Sequence, residues 1–151
     1  MMAYKLPESV LVVIHTPALE VLLLERADHP GFWQSVTGSR ASLDEPLVQT
    51  CAREVAEETG FAAPTERFVN WRLTHRYDIF QQWRHRYAPG VTENTEYVFG
   101  LLVPQMFTPR LAPREHRAWR WLPWTAAADA CFSWTNAQAV RRLPALRGVQ
   151  S

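Results

Sequence analysis

The sequence predicts one α/β domain built on a mixed β-sheet, and three observations carry that prediction. Val10-Leu11-Val12-Val13-Ile14 is a β-branched run of the length expected for a buried strand. A stretch of apolar and small residues at helical spacing follows Pro46 and ends at Gly60. After Pro64 the pattern returns to strand-like segments and closes with two short helical stretches. The chain has 151 residues, about the length of one domain. It contains no internal repeat or linker, so residues 1–151 are expected to form a single unit.

The elements are expected in this order. Residues 10–14 form a strand, broken by Pro17, and residues 21–24 form a second that ends at Glu25-Arg26. Asp28-His29-Pro30-Gly31 is a turn cluster. Residues 32–36 read as a short strand that stops at Thr37-Gly38. A helix then opens within residues 43–46, with Asp44 as N-cap and Pro46 in the first turn. Leu47, Cys51, Ala52 and Val55 give it one buried stripe, and Gly60 caps its C-terminus. Residues 68–74, 77–83 and 96–103 read as strands, with a Pro89-Gly90 loop between the last two. Residues 104–113 form a loop and 119–122 a final short strand. Helices are expected over residues 123–130 and 136–143.

Composition excludes several function classes. Sixteen basic and 15 acidic residues leave a formal net charge of +1, so no global field draws the chain to nucleic acid or an anionic membrane. Two cysteines, Cys51 and Cys131, make neither a disulfide scaffold nor a CxxC zinc site and read as reduced thiols. The N-terminus lacks the charged-then-apolar pattern of a signal peptide. These features lead to the expectation of a cytoplasmic protein with no nucleic-acid or membrane partner; oligomeric state is left open.

The chemistry concentrates in one stretch. Glu54, Glu57 and Glu58 stand at i, i+3 and i+4, so a helix brings their carboxylates to one face. An exposed acidic face is the commonplace reading of such a triplet. Here, however, it is preceded by Gly38, Glu45 and Arg53 and followed by Gly60-Phe61. Magnesium prefers carboxylate oxygens and retained water, with substrate phosphate completing its shell. The pattern closely resembles the signature of the Nudix family, Gly-x5-Glu-x7-Arg-Glu-U-x-Glu-Glu-x-Gly-U with U apolar. Six residues separate Gly38 from Glu45, one more than in the family pattern, which places an insertion in the loop before Glu45.

The resemblance implies a Nudix fold, an α/β/α sandwich with a mixed sheet. It also implies a pyrophosphohydrolase using Mg2+, with Mn2+ as a substitute. Three further segments, containing Phe32-Trp33-Gln34-Ser35-Val36-Thr37-Gly38, Arg84-His85-Arg86-Tyr87-Ala88-Pro89-Gly90 and Ser133-Trp134-Thr135, resemble the branch of that family that acts on a pterin triphosphate. That likeness implies hydrolysis of 7,8-dihydroneopterin 3′-triphosphate to the monophosphate and pyrophosphate, a step of folate synthesis. Two alternatives accompany it: a house-cleaning hydrolase of nucleoside triphosphates, and a non-catalytic Nudix-fold module that binds a nucleotide or RNA.

Glu54, Glu57, Glu58 and Glu115 are the expected metal-site residues, and Glu57, Glu58 and Glu115 the expected catalytic ones. Glu115 enters through the resemblance, from the loop before residues 119–122, with Glu93 and Glu96 as competitors. Lys5, Arg26 and Thr37 are expected at the substrate, with Tyr77, Asp78, Ile79, Phe80 and Ser133. Arg72, Arg76, Arg84 and Arg86 offer donors for phosphate. Trp33 and Trp134 offer walls for a flat ring. Strand residues facing solvent and aromatics packed in the core are the ordinary readings of these last two groups.

Overall fold

The computed structural model describes residues 4–146. Strand β1 (Glu8–His15) is buried along almost its whole length. Its alternate residues feed two separate cores, one on each face of the sheet. Val10, Val12 and Ile14 join Leu22, Leu24, Phe99 and Leu101 beneath helix α1 (Leu47–Thr59). Leu11 and Val13 join Val21, Leu23 and Val98 beneath α2 (Trp124–Ala130) and α3 (Trp134–Leu146). A run apolar at both parities can be satisfied only between two helical layers. The expected α/β/α sandwich follows.

The sheet is mixed. Strand β6 (Glu93–Leu102) runs parallel to β1 along its full length. β5 (Phe68–Asp78) lies antiparallel outside β6. The other edge of β1 is shared. β4 (Val36–Ser39) pairs with Ser9 to Val12, and β2 (Glu20–Arg26) pairs at His15. β2 then carries β3 (Trp33–Gln34) and β7 (His116–Pro123). The sheet therefore forks between β2 and β4, and Ser35 stands at the crossing.

Four expectations need correction. The strand expected over residues 32–36 is two strands on opposite arms of the fork, and Thr37-Gly38 lies inside β4. Asp44 does not cap α1; Pro46 is the cap residue, with no side-chain hydrogen bond. The preceding loop is organised instead by the Arg40 guanidinium, which donates to the carbonyls of Leu43 and Glu45 at 2.6 and 2.8 Å. Residues 77–83 are not a strand beyond Asp78: Gln81–Arg86 is a 3-10 helix. Its side chains pack there, with Trp83 stacked on Phe80 at 5.2 Å and edge-on to Phe32 and Phe132. Finally, the strand expected from Phe68 is interrupted by a bulge. Arg72 adopts φ 55° and the pairing with β6 shifts between Asn70 and Leu73. The remaining elements stand where expected, most of them longer. Among the described residues, no helix is long and apolar enough to cross a membrane.

Candidate active site

The acidic helix is anchored before it does any chemistry. Arg53 donates to Glu45 at 2.9 and 3.1 Å, to Glu54 at 2.8 Å and to the Ser39 carbonyl at 3.1 Å. One guanidinium thus ties α1 to the inserted loop. It holds the Glu45 carboxyl down to about 2. Glu45 also accepts from Thr50 Oγ1 and the Ala41 amide. Gly60 closes the helix in the left-handed conformation, φ 77°, its amide donating to the Ala56 carbonyl.

Of the three box carboxylates, two turn inward. Glu54 and Glu58 are 8% and 1% exposed. Burial raises the pKa of both, most strongly for Glu58, where the neighbouring Glu54 adds to the effect and the Thr37 backbone amide opposes it. Glu54 packs so tightly on β4 that a Cβ built on Gly38 would lie 2.1 Å from its Cδ. Only glycine allows this approach. Glu58 Oε1 is buried without a hydrogen-bond partner. Ligand atoms of Glu58, Glu115 and His116 come within 4.8 Å of one another. Crowded carboxylates with an orphaned oxygen fit a hard divalent cation, which would relieve both the repulsion and the missing bond.

His116, which sequence reasoning did not single out, completes this corner. Arg26 donates to Gln34 Oε1 at 3.3 Å, which fixes the amide so that Gln34 Nε2 donates to His116 Nε2 at 3.0 Å. The proton of the neutral ring then sits on Nδ1, 3.8 Å from Glu58 Oε1. Burial first, and Arg26 second, push His116 down to about 4.

These groups open onto a cleft of about 1020 Å³. Glu54, Glu58 and Glu115 line it, whereas Glu57 is exposed outside the lining, 3.9 Å from Arg53. Glu57 thus stays beside Glu54, sharing the Arg53 guanidinium with it and adding to the rise in the Glu54 pKa, but it does not line the cleft. Lys5 lines the cleft from the segment before β1, Arg26 from the end of β2 and Thr37 from β4, as do Tyr77, Asp78, Ile79 and Phe80 at and just after the end of β5 and Ser133 just before α3. Lys5 is bridged to Tyr87, and desolvation at the cleft, with Arg86 beside it, lowers its pKa. Arg26 is held by Asp28 through two bonds of 2.8 Å and stacks 4.1 Å over the Trp83 ring. Ser133 Oγ accepts from the Asn136 amide at 3.1 Å, capping α3.

Arg76, Arg86 and Trp134 line the cleft, but Arg72, Arg84 and Trp33 do not. Arg84 donates to the Ile79 carbonyl and Trp33 lies under Arg120. Both competitors of Glu115, Glu93 and Glu96, also line the cleft. Asn136 joins α3 to the fork of the sheet: its Oδ1 accepts from the Ser35 amide at 2.8 Å and its Nδ2 donates to Ser35 Oγ at 3.0 Å. No spacing in the sequence signals that clasp.

Comparison with known proteins agrees with this geometry. The NUDIX domain model matches residues 5–143. The dihydroneopterin triphosphate diphosphatase of Escherichia coli (strain K12) is 43% identical over 142 residues, covering 92% of this chain and 93% of that protein. The protein of the same name from Haemophilus influenzae is 37% identical over 145 residues, covering 94% and 90%. The solved E. coli dihydroneopterin triphosphate pyrophosphohydrolase superposes with a TM-score of 0.85 at 42% identity, over 93% of this chain and 97% of that one. With its anchored box helix, its inward carboxylates and a match over nearly its whole length, this chain belongs to the NUDIX family.

Proposed function

We propose that this chain hydrolyses 7,8-dihydroneopterin 3′-triphosphate to dihydroneopterin monophosphate and pyrophosphate. The observation that carries the reading is the composition of one cleft: buried carboxylates with an orphaned oxygen at one end, and cations with aromatic and polar walls at the other. The identity to enzymes bearing that name supports the choice of pterin over other triphosphates.

Glu54, Glu58 and Glu115 would hold the cation, proposed to be Mg2+ with Mn2+ as a substitute. When bound, it neutralises phosphate oxygens and lowers the pKa of coordinated water. Glu58 is kept in place by α1 and faced by His116. Glu115, at the cleft mouth, takes the proton from the attacking water. Arg53 acts behind these groups by fixing Glu54. Lys5 and Arg26 contact phosphate oxygens. Phe80 and Tyr77 flank the ring, and Ser133 and Asp78 offer polar contacts at its edge. Glu57, on the solvent side of α1, is assigned a supporting role in holding the acidic face or a second cation.

The substrate is a small molecule, and the proposed setting is a single domain over residues 1–151 in the cytoplasm. The test is phosphate-product analysis of purified protein with dihydroneopterin triphosphate and Mg2+, with dATP in parallel. Pyrophosphate should be released from the pterin substrate at the higher kcat/KM. Sequential release of orthophosphate, or clear preference for dATP, would overturn the assignment. Binding without turnover would favour a non-catalytic module instead.

A further inference from the structure

Strand β6 carries two buried acceptors that the phosphate chemistry does not use. Asn94 is 1% exposed and Glu96 is 3% exposed, and both line the cleft. They stand two residues apart and so share a face of the sheet, the face that also carries Val98 toward α3. The Asn94 amide sits against two hydroxyls. Its Nδ2 donates to Ser9 Oγ at 2.8 Å and to the Tyr77 hydroxyl at 3.0 Å. That commits both amide hydrogens and leaves Oδ1 buried with no partner. Glu96 Oε1 is also buried, and it is the carboxylate oxygen that pairs with a histidine. Its neighbour is His75 Nδ1 at 3.4 Å, across the β5–β6 pairing.

His75 is itself held from behind. Its Nε2 is hydrogen-bonded to Gln138 of α3, and the Trp134 ring stands edge-on to it at 5.4 Å. The Glu96 carboxylate raises the His75 pKa, with Gln138 adding to the rise against the effect of burial. A histidine fixed on both sides gives Glu96 little freedom to turn away from the cleft.

The unpartnered Asn94 oxygen and the second oxygen of the ion-paired Glu96 carboxylate, two residues apart on one face of β6, are acceptors that a ligand bringing donors would satisfy. The geometry points to Asn94 and Glu96 as the reader of the ring: an acceptor floor for the 2-amino group and N3–H of a 2-amino-4-oxopyrimidine edge, with Glu96 as the discriminating member and His75 as its positioning residue. The inference rests on the pterin reading of the cleft. It extends that reading to a specificity mechanism, because adenine presents one donor and one acceptor on the corresponding edge and cannot satisfy both groups. Glu96 is thereby assigned to recognition and not to the proton transfer for which it competes with Glu115.

The test compares wild type with Glu96→Gln, isosteric but with a donor in place of one acceptor, on dihydroneopterin triphosphate and on dATP. For the pterin substrate kcat/KM should fall at least about tenfold, mainly through KM, since a hydrogen bond to a charged group is lost. For dATP it should change less than about threefold. Equal loss on both substrates, or a loss confined to kcat, would make Glu96 a structural or proton-transfer group and overturn the inference. So would no loss on either. A second measurement needs no variant: neopterin should inhibit the wild-type enzyme competitively at least about tenfold better than its 2,4-dioxo analogue, which lacks the amino donor. Equal inhibition by the two would also overturn it. Absence of wild-type turnover of dihydroneopterin triphosphate is a separate result, and it would remove the proposed function itself.

Discussion

Glu58 Oε1 lies 3.8 Å from His116 Nδ1, with both side chains almost wholly buried at the floor of the cleft, where α1 meets β7. The ring proton faces the carboxylate but is too distant to bond it, so the oxygen stays available to a cation. Glu58→Gln should keep the fold and lower turnover at least about a hundredfold, through lost charge compensation in the transition state. Steady-state rates alongside a thermal midpoint check this. Near-normal turnover in the folded variant would remove Glu58 from the metal site.

Glu57 is a different case. It projects from the exposed side of α1 and pairs with Arg53 at 3.9 Å. Glu57→Gln should therefore cost no more than about tenfold in kcat. A loss as large as that of Glu58→Gln would show that Glu57 turns into the site when the cation binds.

Gly38 tests the box from the opposite side. Gly38→Ala places a methyl where the Glu54 carboxylate now sits. Displacing that side chain by about an ångström should lower activity on the order of a hundredfold. Raised Mg2+ should restore part of it if the defect is in metal affinity. Full activity would show that Glu54 has room that the close packing denies.

For Glu115 the expected signature is kinetic. Glu115→Gln should lower kcat much more than it changes KM, because a proton acceptor acts in the transition state. Glu93→Gln, at an exposed position on the same cleft, should be nearly silent. The reverse pattern would move the base to the start of β6.

Asp28 predicts a pH effect. The Arg26 guanidinium holds its carboxyl at about 2, below the ordinary 3.8. A depressed carboxylate stabilises the fold above its unfolded pKa, and that contribution is lost as pH falls from about 4 through about 2. Asp28 also accepts from Trp83 Nε1 at 3.1 Å and Arg86 at 3.3 Å, tying the 3-10 helix to the end of β2. Asp28→Asn should lower the neutral-pH thermal midpoint by about 2 °C, a modest shift because the group is partly exposed. It should also flatten the acid limb of midpoint against pH. An unchanged acid limb would show that Asp28 is not coupled to folding.

What was legible in the sequence was local. The β-branched run of β1, the stripe and glycine cap of α1 and the carboxylate spacing each belong to one element, so periodicity displays them. The split of residues 32–36 was not legible, because it depends on which arm of the fork each half pairs with. The 3-10 helix at Gln81–Arg86 was missed because Tyr77, Ile79 and Phe80 suit a strand as well, and only the packing of Trp83 against Phe80 and Phe132 decides. The inward Glu54 and Glu58 and the outward Glu57 share one helix, and their difference appears only when β4 and β7 are placed against it. His116 and the Asn94–Glu96 pair owe their chemistry to partners distant in sequence, so no spacing rule marks them.

The Ser35–Asn136 clasp has a kinetic consequence. Ser35 lies between β3 and β4 and outside both strands, and such amides ordinarily exchange with deuterated solvent within minutes. Here the amide is buried and its acceptor belongs to α3, so releasing it requires the helix to lift from the fork. Because Ser133 and Trp134, at the start of that helix, form part of the cleft wall, the exchange lifetime of this single amide becomes a clock for cleft opening. If it lengthens with bound substrate in step with the core strands, the wall and the sheet move as one body. If it stays short, the wall breathes on its own.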